Sequence, residues 1–112
     1  MYRQLEIWWV DLNPTKGAET RKKRPCVILQ SDWLNEASKT IVVAPLLAHH
    51  RDWPFVVNIA PTVDNGLDQK RHINIKQLRS VDISRITDKQ GRVAAKYKAA
   101  IDEVIHLLFA NP

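Results

Sequence analysis

Residues 13–26, NPTKGAETRKKRPC, hold five basic side chains (Lys16, Arg21, Lys22, Lys23 and Arg24) and a single carboxylate, Glu19. Five minus one leaves +4 of the chain's formal +5 in this one stretch. Charge concentrated in this way attracts a polyanion, most often nucleic acid. Arginine forks onto phosphate oxygens, whereas lysine acts as a point charge. Arg24 directly precedes Pro25, which restricts its backbone to extended geometry and helps to aim it. On residue types alone, two uses for Glu19 stay open. It can pin the loop through a salt bridge to Arg24, which exposed pairs form for little energy, or act on whatever the cations hold. For each of Lys16, Arg21, Lys22 and Lys23 the choice is between tracking phosphates and being one charge of a solvated run.

The rest of the chain must position that stretch. At 112 residues it reads as a single domain, 1–112, large enough for one compact core. A composition 45% apolar and 26% charged argues against disorder. Cys26 is the only cysteine, so no internal disulfide forms and a reducing, cytoplasmic setting fits. Because it precedes the apolar run Val27-Ile28-Leu29, a buried and inert thiol is expected. The longest apolar run, Ile41 to Ala48, is broken by Pro45 and falls far short of the roughly 20 residues a membrane helix needs. Ile7 to Val10 is too short for a signal-peptide core. No Cys/His cluster has metal-ligand spacing and no phosphate-cradling glycine loop occurs, so neither metal nor cofactor is expected.

LEIWWVDL (5–12) reads as a strand, followed by the basic loop. PCVILQ (25–30) reads as a second strand with Pro25 at its first position, where proline is tolerated. SDWLNEASK (31–39) is a loop with room for one helical turn. TIVVAPLLA (40–48) is a buried strand, bent or ended near Pro45; HHRDWP (49–54) is a polar loop; FVVNIA (55–60) is a strand beginning at a core Phe55. RHINIKQLRSVD (71–82) is one long strand or two short ones. After Gly91 the period changes: Tyr97, Ile101, Val104, Ile105 and Leu108 fall on one face of a helix. The fold class that follows is mainly β, a small, strongly curved antiparallel sheet or barrel with the C-terminal helix packed on it.

IWWVDLNPTKGAET…RPCVIL resembles the MazF/PemK family of toxin endoribonucleases from type II toxin–antitoxin pairs. The matching signature is Pro14, Gly17, Glu19, Arg24 and Pro25; a second block, QLRSVDISRI (77–86), is similar to the family's Gln-x-Arg-x-apolar-Asp element. The resemblance covers nearly the whole chain. It implies an SH3-like β-barrel with a C-terminal helix, assembled as a homodimer. It implies metal-independent, sequence-selective cleavage of single-stranded RNA. It also implies a cognate antitoxin whose acidic tail lies across the RNA groove.

RNA carries its own nucleophile, the 2′-OH. Cleavage needs a base for its proton, an acid for the departing 5′-oxygen, and positive charge beside the phosphorane. In that light Arg24 suits the phosphate and Glu19 the base. Lys16, Arg21, Lys22, Lys23, Gln77 and Arg79 become RNA contacts, and Trp53 a stacking surface for a base. His49 and His50 point to opposite faces if extended, so one of them, His49, is taken as a groove contact. Of Trp8 and Trp9, one is expected to face the core and the other a groove or interface.

Three positions depart from the family: Leu5-Glu6 where many relatives have Gly-Asp, Leu47 where many have Thr, and Lys76 where many have an acid. Leu47 cannot donate to a phosphate, so either Glu19 and Arg24 suffice or the activity is weakened. The rival functions are a non-catalytic inhibitor of DNA gyrase on the same barrel, like the CcdB poisons, and a basic RNA-binding barrel without chemistry. The ending IHLLFANP has a passing likeness to CcdB proteins, but it lacks their terminal Trp, and they lack the Glu19/Arg24 signature.

Overall fold

The structure, a computed structural model, describes residues 1–19 and 22–111. Seven strands and two helices follow one another: β1 (Glu6–Asp11), β2 (Lys23–Ile28), α1 (Asp32–Ala37), β3 (Thr40–Ala48), β4 (Val56–Ile59), β5 (Arg71–Asn74), β6 (Arg79–Asp82), β7 (Ile86–Arg92) and α2 (Lys98–Phe109). The strands pair in the order β4-β5-β3-β2-β1-β7, with β6 also paired to β3, and every pairing is antiparallel. Among the described residues β4, β6 and β7 each pair on one side, so the sheet is strongly curved and barrel-like without closing on itself.

Strand β3 produces the curvature. On one edge its first half, Thr40–Val43, pairs with β6, and its last three residues, Leu46–Ala48, pair with β5. Pro45 sits at the changeover, so the strand bends and continues rather than ending there. Alternating side chains serve two cores. Ile7, Val27, Ala44 and Leu46 belong to one with Ile73 and Ile101; Val10, Cys26, Ile28, Ile41 and Val43 belong to the other with Val81 and Ile86. This two-sided burial is why IVVAPLL reads as a continuous apolar run. The helical stripe behaves as its spacing requires: Ile101 is buried, and Tyr97, Val104, Ile105 and Leu108 pack against the first core.

Two features differ from the sequence reading, the start of β2 and the presence of β7. β2 begins at Lys23, because Lys23 and Arg24 pair with Asp11 and Val10. Pro25 is therefore the third residue of the strand, tolerated because pairing to β3 starts only at Cys26. The 71–82 segment takes the second of its two readings, two short strands, divided by a 3-10 turn at Ile75–Gln77. Strand β7 escaped the reading altogether: ITDKQGR is largely exposed, with only Ile86 buried, the composition of a protected edge. The turn expected within 31–39 is α1.

The residue standing in for the family's Asp, Glu6, is buried and well partnered. Its carboxylate accepts from Trp8 Nε1 (3.0 Å) and the Arg3 amide (2.9 Å) and pairs with Lys89 Nζ (2.8 Å). Burial pushes its pKa up, but the Lys89, Trp8 and Arg3 contacts together outweigh it and hold the carboxyl below its ordinary value. Burial pushes the Cys26 thiol up to about 12, against the opposing pull of the Arg79 charge, so it is the inert core thiol its neighbours imply. Neither helix is long and apolar enough to cross a membrane among the described residues.

Candidate functional site

The basic loop leaves β1 at Leu12 and enters β2 at Lys23. Gly17 lies at φ +59°, which glycine adopts without a side-chain clash. Beyond it the chain folds back: the Glu19 amide donates to the Lys16 carbonyl (3.1 Å), and Glu19 Oε1 accepts from the Lys16 amide (2.7 Å). The carboxylate is thus held by the backbone of its own turn. The loop's neck is closed by the Leu12 amide on the Lys22 carbonyl (3.0 Å) and the Lys22 amide on Asn13 Oδ1 (3.1 Å). Two arginines from the second sequence block fasten that neck. Arg79 Nη1 donates to the Leu12 carbonyl (3.1 Å), and Arg85 Nη1 to the carbonyls of Asp11 (3.2 Å) and Asn13. Arg21 lies outside the described residues.

Beside this loop opens a cleft of about 680 Å³, lined by Glu19, Trp53, Phe55, Lys76, Gln77 and Arg79, with Leu12 and Pro45 among its apolar walls. Four sequence-selected residues, Glu19, Trp53, Gln77 and Arg79, therefore share one site. Trp53, 44% exposed, stacks on Phe55 with ring centres 5.3 Å apart and planes 20° apart. Lys76 Nζ lies 5.1 Å over the Phe55 ring, and the Arg51 guanidinium 5.3 Å over Trp53.

Trp53 is placed by residues of β4 and β5. Asn58 on β4 accepts from the Arg51 amide (3.0 Å) and donates to its carbonyl (2.8 Å); His72 Nδ1 on β5 donates to the His49 carbonyl (2.8 Å). These bonds lay the 49–55 segment over the outer face of the β4–β5 pair. The His72 ring then meets Trp53 edge-on, 5.7 Å between centres.

Arg24 does not share the cleft. With Lys23, Trp9, Pro25, Arg71 and Gln90 it lines a second depression of about 510 Å³. Adjacent β3 residues line the two depressions, Pro45 the first and Leu46 the second. Lys16, Lys22 and His49 are exposed and line neither. Of the tryptophan pair, Trp8 packs with Tyr2 against the second core, and Trp9 lines the Arg24 depression.

The sequence pattern of PemK-like, MazF-like toxins of type II toxin–antitoxin systems matches residues 3–109. The chain belongs to this toxin family. It is 33% identical over 113 residues to Endoribonuclease MazF9 of Mycobacterium tuberculosis, covering 96% of this chain and 95% of that protein. Endoribonuclease EndoA of Bacillus subtilis is 26% identical over 106 residues, covering 94% of this chain and 91% of that protein. The solved Mycobacterium tuberculosis toxin MazF-mt6 has the same fold, with a TM-score of 0.78 at 21% identity over 93% of this chain and 95% of that one. So does a mycobacterial endoribonuclease solved in complex with its cognate antitoxin, with a TM-score of 0.80 at 16% identity and full coverage of both chains.

In this MazF-like toxin several site residues carry no sequence signal of their own. Phe55 was expected in the core; it precedes β4, which begins at Val56, and instead forms half of the aromatic stack. Lys76 stood out only as a departure from the family, yet it adds a cation to the cleft. Leu47, half-buried on β3 opposite His72, lines neither depression. Arg85 acts on carbonyls 72 to 74 residues away, a contact that only the fold brings about.

Proposed function

We propose that this MazF-like toxin is a metal-independent endoribonuclease that cleaves single-stranded RNA at selected sequences. The observation that carries this reading is Glu19: an exposed carboxylate, held by backbone contacts, at a cleft that also contains a stacked aromatic pair and the cations Lys76 and Arg79. Relatives that bear the name endoribonuclease support it.

Glu19 takes the proton from a 2′-OH; O2′ bonds to phosphorus as the P–O5′ bond breaks, and the departing 5′-oxygen takes a proton from water. The products are a 2′,3′-cyclic phosphate and a 5′-hydroxyl. Arg24, on a paired strand rather than on the loop, supplies a rigidly based guanidinium for the phosphorane charge. The reacting phosphate lies on the rim between the Glu19 cleft and the Arg24 depression, where the long side chains of both residues reach it. Trp53 stacks a base, Gln77 and Arg79 line its cleft, and Lys16, Arg21, Lys22, Lys23 and His49 follow the backbone. The active form is a homodimer in the cytoplasm, and an antitoxin with an acidic tail competes with RNA for the cationic surface.

Incubating the pure protein with a long single-stranded RNA in EDTA tests this. Discrete fragments ending in cyclic phosphate are expected; intact RNA would overturn the proposal.

A further inference from the structure

Side chains of β1 alternate between the two cores. Val10 is buried in the second core and Trp8 packs against it, while Ile7 is fully buried in the first. Trp9 follows Ile7 on the first face, opposite Pro25 of β2, yet it stays 37% exposed. Instead of a buried core side chain, the strand offers an indole to the Arg24 depression. Pro25, Leu46 and Leu67 add apolar lining, the two leucines also packing in the first core. Lys23, Arg24 and Arg71 bring three cations against one carboxylate, Asp68, which already lies 3.5 Å from Arg71. On the other side of β1 the β7 strand is bulged. Lys89 lies opposite Trp8 and Ile86 opposite Val10, so two β7 residues face Trp9, and the Thr87 hydroxyl donates to its carbonyl (3.3 Å). Bulges of this kind recur beside binding sites. The depression, about 510 Å³, is large enough for a small ligand. An indole and a group of cations match the two halves of a nucleotide, a flat base and a charged phosphate.

We propose that Trp9 is a second base-stacking residue, and that the Arg24 depression seats the base across the scissile phosphate from the one on Trp53. This rests on the endoribonuclease reading and deepens it. The cations select a polyanion, and the indole selects an unpaired strand, whose bases can be splayed out onto a ring. Trp53 and Trp9 line separate depressions, so bases seated there stack on the protein and not on each other. Splaying serves the chemistry. Attack by O2′ needs O2′, phosphorus and O5′ nearly in line, and continuous helical stacking holds them away from that line. Trp9 holds one side of the opened step while Trp53 holds the other. Every base has a π-face, so Trp9 adds affinity without choosing a sequence.

The test is binding without cleavage, so that it stands apart from the assay for activity. Fluorescent 2′-O-methyl heptamers of randomised sequence have no free 2′-OH to attack phosphorus. A strand of the same length without bases presents the phosphates alone. Affinities for both are measured by anisotropy at low salt, where phosphates alone still bind. Circular dichroism checks the folding of each variant and sedimentation its oligomeric state. Trp9→Leu keeps apolar bulk but removes the ring. It is expected to bind the heptamers about fivefold to a hundredfold more weakly, and the base-free strand within about twofold of the unaltered protein. Trp9→Phe is expected to recover most of the loss. Adding Trp53→Leu to Trp9→Leu is expected to multiply the two losses, as separate subsites require. Equal weakening of both ligands by Trp9→Leu, or weakening of neither, would overturn the proposal. So would a changed oligomeric state with RNA affinity retained, which would assign the ring to packing between copies. If Trp9→Leu does not fold, a 2′-O-methyl heptamer of 5-iodouridine, irradiated on the unaltered protein, decides. A covalent adduct on Trp9 is expected, and its absence would overturn the proposal. Failure of cleavage would instead count against the endoribonuclease reading.

Discussion

Arg79 Nη1 donates to the carbonyl of Leu12 across 3.1 Å, joining the second sequence block to the neck of the basic loop. Arg85 does the same one residue to either side. Glu19 depends on that neck for its position, because the turn in which it bonds to Lys16 is carried by the neck. Arg85→Ala removes a charge-assisted donor from two carbonyls. The expected result is a loss of about 1 kcal/mol of stability in urea titration and about tenfold in single-turnover cleavage. Arg85→Lys restores charge but not the fork, and is expected to recover less than half of the rate. Unchanged rates in both variants would show that the neck does not position the carboxylate.

The buried Glu6 cluster makes stability depend on pH in a defined direction. Its folded carboxyl lies below the ordinary value of 4.5, so near that pH the unfolded chain binds more protons. The contribution is complete above about pH 4.5 and is lost as pH falls through the folded value. Glu6→Gln, which loses the Lys89 attraction, is expected to be about 1 kcal/mol less stable at neutral pH, with the difference shrinking in acid. Urea titrations of both proteins at several pH values check this; a gap that grows in acid would contradict it.

Glycine is required at 91 and at 17 for different reasons. A methyl group at Gly91 would lie 2.2 Å from the Asp64 carbonyl oxygen, inside the turn that Asn65 organises. Gly91→Ala is expected to cost about 2–3 kcal/mol through overpacking. At Gly17 a methyl meets nothing within 4 Å, so only its φ of +59° penalises alanine, by about 1 kcal/mol. Thermal melts separate the two. The Gly17→Ala variant alone is expected to lose activity out of proportion to stability, because its turn holds Glu19.

The Cys26 thiol, raised to about 12 by burial, remains protonated in mild alkali. In the folded protein at about pH 8 a thiol-reactive dye is expected not to label it, and in concentrated urea to label it fully. Rapid labelling of the folded form would mean that the second core opens readily.

What the sequence disclosed and what it hid divide along physical lines. The α2 stripe and the apolar run of β3 were legible because burial imprints a period or a continuous run on the residues. β7 was not, because an edge strand owes its position to pairing with β1 and keeps polar side chains. Glu19 and Arg24 are five residues apart in one motif, yet a loop–strand boundary between them sends them to different depressions. Arg85 is an ordinary polar residue in the sequence. Only the fold brings it to the carbonyls of Asp11 and Asn13.

The most direct measurement is single-turnover cleavage of one single-stranded RNA in EDTA by the unaltered protein, Glu19→Gln and Arg24→Ala, each shown to be folded. The unaltered protein is expected to cut, leaving cyclic phosphate ends, and each variant to be slower by about a hundredfold or more. Intact RNA with the unaltered protein, or undiminished cutting by both variants, would contradict the account.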